Sequence, residues 1–218
     1  MQHVLPASGA QCKRRVQVAV LGGGSFATAM GTALARKTPD CDVVMLVRKQ
    51  QVCDDVNERH ENADYLPAMA LPANLRATTD QHEAIAGAQY AIHAVPVQAS
   101  SQFLRSIKDI LHPETPLICV SKGIEQSSGF LLSDMIPHAL GRDQPAVFLS
   151  GPSFAKEVWR STRCLMGVVN ILQHASATCS RYPSLCIYAV GLPACLVFHN
   201  VEPLKVYYCA AGSSTCKA

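Results

Sequence analysis

A chain of 218 residues with 49% apolar content can bury one good core or two small ones. Its net charge is only +3 and no basic stripe is interleaved with aromatics, which argues against nucleic acid as a partner. No segment reaches ~18 uncharged apolar residues flanked as a membrane span would be, so the expectation is a soluble protein.

The ten cysteines would suggest disulfides in a small secreted protein, but the opening residues do not read as a signal peptide, so that class is not expected. Neither CxxC nor HxxxH occurs, so a metal site has little support. Residues 1–15 hold no acid and end in Lys13-Arg14-Arg15. They read as an N-terminal extension, shorter and poorer in Ser and Arg than a transit peptide, or as the stub of one.

Residues 16–21 (VQVAVL) have the length and β-branched content of a buried strand. Gly22, Gly23 and Gly24 follow at once, and then Phe26, Met30, Ala33 and Leu34 recur at helical spacing. Thr38-Pro39 stops this helix, and residues 43–47 are a second apolar strand. The product is a βαβ unit. Within it, Gly22-x-Gly24-x-x-Ala27 fits the dinucleotide-binding fingerprint, in which alanine is accepted at the third place. Gly22 allows the tight turn, Gly24 lets a pyrophosphate approach the backbone, and Ala27 lets the helix lie close on the sheet. The helix N-terminus adds unpaired N–H groups and a partial positive charge. At the end of the second strand, where an NAD site usually carries an acid for the ribose 2′-hydroxyl, stands Arg48-Lys49. A guanidinium suits a 2′-phosphate, and a solvated basic pair is the equal alternative. The residues leave NAD and NADP both open.

Further along, residues 52–59 read as a polar surface helix and 62–72 (NADYLPAMALP) as a loop with two prolines. A short strand at 75–78 follows, and Asp80 could cap a helix at 81–86. Residues 90–95 are an apolar strand closed by Pro96. His93, inside that run, reads as a packed core residue. An amphipathic helix at 100–111 presents Phe103, Leu104, Ile107 and Leu111 on one face. Residues 116–120 are a fifth strand, 130–140 a helix, and 146–149 a sixth strand leading into residues 151–157. Lys156-Glu157 reads as a pair on a surface helix. Strands alternating with helices at this spacing predict an α/β fold, a doubly wound, mostly parallel Rossmann-type sheet. Ligands of such sheets sit beyond the carboxyl ends of the strands. Gly22–Gly24, Arg48, Pro96, Lys122 and residues 151–153 all fall at such ends. A lysine at the position of Lys122 could bind an anionic substrate as a point charge; a solvated loop lysine is the alternative.

Four segments together, LGGGSFATAM (21–30), HAVPV (93–97), SKGIE (121–125) and GPSFAKEV (151–158), resemble the NAD(P)-dependent glycerol-3-phosphate dehydrogenases, and above all their bacterial and plant-plastid branch. The resemblance covers residues 16–158. It implies reversible reduction of dihydroxyacetone phosphate to glycerol 3-phosphate with NAD or NADP, in glycerolipid precursor supply. It implies a phosphorylated small-molecule substrate, and a homodimer for the intact enzyme. By the resemblance, Gly22, Gly24, Ser25 and Phe26 form the pyrophosphate loop. Arg48 and Tyr65 lie near the adenosine side, and Pro96 lies along the cofactor. Lys122 touches cofactor and substrate, Gly151 and Ser153 contact the substrate, and Ala155 contacts the cofactor. Ala27, where many members have glycine, is a mild departure. The compartment implied is the cytoplasm or the plastid stroma.

After Val158 the chain departs from the family. The helical domain expected there, with its general acid/base lysine and the Arg-Asn pair that holds the substrate phosphate, has no match; the Leu204-Lys205 echo has the wrong neighbours. In residues 161–218 the only acid is Glu202, and six of the ten cysteines occur. Prolines at 183, 193 and 203 interrupt any helical period. The expectation is a poorly ordered, atypical Cys-rich tail, of the kind that a retained intron or a shifted reading frame produces. A partner-binding tail is the alternative. The organisation expected is therefore an extension (1–15), a dinucleotide-binding domain (16–160) and the tail (161–218). A reading of a different class is a non-catalytic nicotinamide-nucleotide-binding or redox-sensing module with the tail cysteines as its output. A 6-phosphogluconate-type reductase on the same fold is disfavoured by SKGIE and GPSFAKE.

Overall fold

The computed structural model describes residues 15–150 and 154–160, and the backbone of two strands at 165–170 and 190–191. Strand β1 (Val16–Leu21) runs into helix α1 (Ser25–Lys37) and returns as β2 (Cys41–Leu46), in parallel register from Val16 opposite Cys41 to Leu21 opposite Leu46. Strand β3 (Leu75–Thr78) pairs outside β2. The chain then crosses back, so that β4 (Tyr90–His93) pairs with the free edge of β1. Strands β5 (Leu117–Cys119) and β6 (Ala146–Ser150) follow on that side, still parallel. The order β3-β2-β1-β4-β5-β6 is that of the doubly wound dinucleotide-binding fold, and its reversal lies between β1 and β4. Beyond residue 160 the sheet gains β7 (Leu165–Asn170), antiparallel to β6, and the two-residue β8 (Val190–Gly191). The remainder of the tail, and residues 1–14, lie outside the described residues.

Because successive side chains of a strand point to opposite faces, β1 feeds two cores at once. Val18 and Val20 join one with Met30 and Leu34 of α1 and Val52, Val56 and Val158. Ala19 and Leu21 join the other with Ala84, Leu104, Ile107, Met135 and Ile136. Helices α3 (Gln81–Ile85), α4 (Val97–Ile107) and α5 (Leu132–Leu140) cover this second face. Each such side chain, fully buried, contributes about 1.5–3 kcal/mol, which is why β1 contains no charge. On the first face α1 is joined by α6 (Ala155–Trp159).

Several expected boundaries move. Helix α4 begins at Val97, with Pro96 as its N-cap, rather than at residue 100; proline carries the φ that a helix entry needs. The stretch expected as a polar surface helix is half core. It divides into α2 (Gln50–Asp54) and a π-helical turn (Asp55–Arg59), and Val52, Cys53 and Val56 are buried. The Asp80 cap forms as expected: its Oδ1 accepts from the His82 N–H at 2.8 Å. His93 is fully buried, as its apolar neighbours require. Glu157 reaches back to accept from the Phe154 N–H at 3.2 Å, which closes the first turn of α6.

Candidate functional site

The glycine loop lies at the reversal between β1 and β4. Gly22 donates its N–H to the Leu46 carbonyl at 3.1 Å, which extends the β1–β2 ladder by one residue. Its φ is +130°, and a Cβ there would stand 2.8 Å from the Ala94 carbonyl oxygen just past β4. Gly22 therefore both turns the chain and lets two strand ends close together. Gly24 is the N-cap of α1, with ordinary extended backbone and no side-chain cap. An added Cβ at Gly24 would meet nothing within 4 Å. No acid lies in the first turn of α1, and Ala27 is 1% exposed, pressed against the core. Uncapped N–H groups, a positive helix end and open space at Gly24 together fit a pyrophosphate.

Around this loop the structure brings several of the anticipated residues together. The Ser25 hydroxyl donates to the Tyr65 carbonyl at 3.0 Å, and the Tyr65 side chain is partly exposed. Phe26, half-buried at the start of α1, lies below Lys122 from the end of β5, with Nζ 5.9 Å from the ring centroid. That is an outer-range cation–π contact linking the mouths of β1 and β5. Arg48 is exposed just beyond β2. Its neighbour Lys49 is engaged by Asp64 at 2.8 Å, and this contact raises the Lys49 pKa. Pro96 is exposed at the head of α4, and Ala155 packs half-buried against the first core. Gly151 and Ser153 lie outside the described residues.

The β4–α4 turn is held by its own network. His93 Nε2 is 2.9 Å from Ser100 Oγ, and Ser100 Oγ donates to the carbonyls of Val95 and Pro96. The Ser121 hydroxyl donates to the Val95 carbonyl at 2.5 Å. Burial lowers the His93 pKa to about 4, so the imidazole is neutral at physiological pH and serves packing. Gln98 ties α4 to the segment after Lys122: its Nε2 donates to the Ile124 carbonyl and its Oε1 accepts from the Gln126 N–H.

Two buried polar residues at the loop, Asn62 and Thr28, carry no sequence signal that marks them. Asn62 sits in a loop whose composition reads as surface, yet its side chain is fully buried. It donates from Nδ2 to the Gly23 carbonyl at 3.0 Å and to Thr28 Oγ1 at 2.7 Å. A buried loop asparagine has no periodicity to betray it; only the fold, by bringing residue 62 back over residues 23–28, makes it visible. Among the described residues no group of three His, Cys, Asp or Glu side chains is placed to hold a metal ion. No helix there is long and apolar enough to cross a membrane.

Comparison with known proteins bears on the same segment. A family model described as the N-terminus of NAD-dependent glycerol-3-phosphate dehydrogenase matches residues 17–175. A chloroplastic NAD(+) glycerol-3-phosphate dehydrogenase of Arabidopsis thaliana is 46% identical over 159 residues, which are 72% of this chain and 38% of that protein. An NAD(P)+ glycerol-3-phosphate dehydrogenase of Clostridium tetani is 41% identical over 141 residues, 65% of this chain and 40% of that protein. The crystal structure of a glycerol-3-phosphate dehydrogenase from Coxiella burnetii aligns with a TM-score of 0.65 at 27% identity, covering 71% of this chain and 46% of that one. The chain thus spans about two fifths of the length of the curated relatives it matches. The strand order, the glycine loop at its reversal and the match over residues 17–175 agree: the chain belongs to the NAD-dependent glycerol-3-phosphate dehydrogenase family and corresponds to its N-terminal part.

Proposed function

We propose that this chain binds NAD or NADP at the glycine loop, as the cofactor-binding part of a dehydrogenase interconverting dihydroxyacetone phosphate and glycerol 3-phosphate. The observation that carries the proposal is the uncapped N-terminus of α1 beside the open space at Gly24, at the β1/β4 reversal. Gly22, Gly24, Ser25 and Phe26 would hold the pyrophosphate, Arg48 and Tyr65 the adenosine half, and Pro96 and Ala155 the length of the cofactor. When bound, the nicotinamide supplies or accepts the hydride. Lys122 would hold the phosphorylated substrate with Gly151 and Ser153; its cation–π contact with Phe26 keeps its charge at the loop. The chloroplastic relative favours the plastid stroma over the cytoplasm, and dimerisation would belong to the intact enzyme.

The chain's single tryptophan, Trp159, sits on α6 against α1, so quenching of its emission on NADH titration tests binding directly. Saturable quenching is expected, and its absence would end the cofactor reading. Turnover is expected to be slight. The proton donor and the groups that orient the substrate phosphate have no match in this sequence, and a positioned acid–base group typically contributes ~10²–10⁴ in rate. NADH oxidation with dihydroxyacetone phosphate at an ordinary ~1–10³ s⁻¹ would overturn this and send the search for a catalytic lysine to Lys205.

The redox-sensing alternative rests on the tail cysteines, which lie outside the described residues, and the described cysteines add nothing to it. Cys41, Cys53 and Cys119 are free and buried. Burial pushes the Cys41 thiol up to about 11 and raises the other two. A sensor thiol needs the opposite, an exposed site with a lowered pKa.

A further inference from the structure

The hydrogen bonds beneath the glycine loop can be assigned proton by proton. Thr28 has one hydroxyl hydrogen, and Oγ1 donates it to the Gly24 carbonyl at 3.0 Å. Toward Asn62, Oγ1 can therefore only accept, and it does so from Nδ2 at 2.7 Å. The second hydrogen of Nδ2 goes to the Gly23 carbonyl at 3.0 Å. Both amide hydrogens of Asn62 are thus committed to this loop, one directly and one through Thr28. Both residues are fully buried, and Asn62 Oδ1 is left buried without a partner. An orphaned oxygen of this kind is costly, and the fold tolerates it to keep the two donors where they are. Asn62 is itself pinned, since its carbonyl accepts from the Tyr65 and Leu66 N–H groups at 3.2 and 2.8 Å.

In a trans peptide the C=O and the following N–H point in opposite directions. Holding the Gly23 carbonyl toward Asn62 turns the Gly24 N–H away from it. Holding the Gly24 carbonyl toward Thr28 turns the Ser25 N–H away likewise. The Gly24 carbonyl also accepts from the Thr28 N–H at 2.9 Å, the first bond of α1, so the helix itself aims the Ser25 N–H. Glycine peptide planes rotate freely when nothing restrains them, and the Gly23 carbonyl is held by Asn62, so without that bond the Gly24 N–H would be aimed only part of the time. We propose that Asn62 is the positioning residue of the pyrophosphate loop: through the Gly23 carbonyl it orients the Gly24 N–H toward the dinucleotide phosphates, and through the Thr28 hydroxyl it braces the Gly24 carbonyl that the first bond of α1 already holds. This rests on the cofactor reading given above. The chemistry requires an amide here. An aspartate would set a carboxylate against oxygen acceptors, and an alanine would free the Gly23 carbonyl while the Gly24 carbonyl keeps its bonds from Thr28.

The test compares Asn62→Ala, Thr28→Val, their double variant and Thr28→Ser with the wild-type chain. Affinity is measured for NADH and ADP-ribose, which carry the pyrophosphate, and for adenosine, which does not, the last by NMR shift titration. Loss of one well-aimed donor pair should weaken NADH and ADP-ribose about tenfold in either single variant. The double variant should be no weaker than Asn62→Ala, because the two residues act in one chain. Thr28→Ser keeps the hydroxyl and should retain wild-type affinity, and adenosine should stay within about twofold throughout. NADH affinity unchanged in folded Asn62→Ala, or adenosine weakened in step with NADH, would overturn the proposal. If Asn62→Ala does not fold, Thr28→Val decides by the same criterion. If the wild-type chain itself fails to bind NADH, the cofactor reading falls separately. Amide exchange at Gly24 and Ser25 then tests whether Asn62 holds the loop, and exchange no faster in Thr28→Val would show that it does not.

Discussion

Gly22 and Gly24 stand two residues apart and answer to different forces. At Gly22 a methyl group would meet the Ala94 carbonyl at 2.8 Å with φ at +130°, so Gly22→Ala should destabilise the fold by at least ~1–3 kcal/mol, seen as a lower Tm with or without cofactor. At Gly24 the same methyl meets nothing. Gly24→Ala should cost no more than about 1 kcal/mol as an N-cap change, yet abolish NADH binding by filling the phosphate's place. Equal stability losses in the two variants would contradict this. Arg48 poses a question of discrimination. A charge-assisted contact to a 2′-phosphate is worth roughly 1.5–3 kcal/mol, so Arg48→Ala should weaken NADPH about tenfold or more and leave NADH nearly unchanged. Equal affinities for NADPH before and after would make Arg48 a surface charge. His93 makes stability depend on pH. Its native pKa is lowered to about 4 from 6.5, so between these values the unfolded chain binds a proton that the native chain refuses. Stability from this residue is complete above pH 6.5 and falls on acidification toward pH 4, by about 2 kcal/mol at pH 5. Urea unfolding at pH 7 and pH 5 should show that slope, and His93→Asn should flatten it.

At the scale of elements, α6 is tied to α1 by one polar side chain besides the apolar packing of Val158 and Trp159. Arg36 donates from one guanidinium nitrogen to the Trp159 carbonyl at 2.8 Å and from the other to the Ala70 carbonyl at 3.1 Å. Its guanidinium carbon lies 4.2 Å from the Trp159 ring centroid. Arg36→Ala should lower stability by about 1–2 kcal/mol and shift Trp159 emission to the red, while Arg36→Met, which still covers the ring, should shift it less. An unchanged spectrum would mean that the two helices are held by their apolar faces alone. The βαβ unit around Gly22 was legible in the sequence because every layer of signal agreed: an apolar strand, glycines, a helical period, then a second strand. The π-helical turn at Asp55–Arg59 and the burial of Val52 and Val56 were not, since three apolar residues among charged ones sit below what periodicity can resolve. The α1–α6 tie was hidden for another reason. It joins residues 123 positions apart, and an arginine at the exposed end of a helix looks the same whether or not a tryptophan lies beneath it.

For the molecule as a whole, the doubly wound parallel sheet was legible because strands alternating with helices admit few arrangements, while its strand order came only with the structure. Asn62, by contrast, required the folded chain before its partners could be named. The central position of β1 also has a consequence during synthesis. One edge of β1 is closed by β2, with Val18 opposite Val43. The other waits for β4, where Val18 meets Tyr90, 72 residues later. At translation rates of ~5–20 residues per second, that edge stays open for roughly 4–14 s. Val18–Leu21 is apolar and uncharged, the kind of unpaired strand that recruits other nascent chains. The residue pairs that bury Val18–Leu21 completely in the finished protein thus leave the same segment open to misassociation on the ribosome. Holdase chaperones should therefore engage nascent chains of this protein most strongly after β1 emerges and release them once Tyr90–His93 has cleared the tunnel.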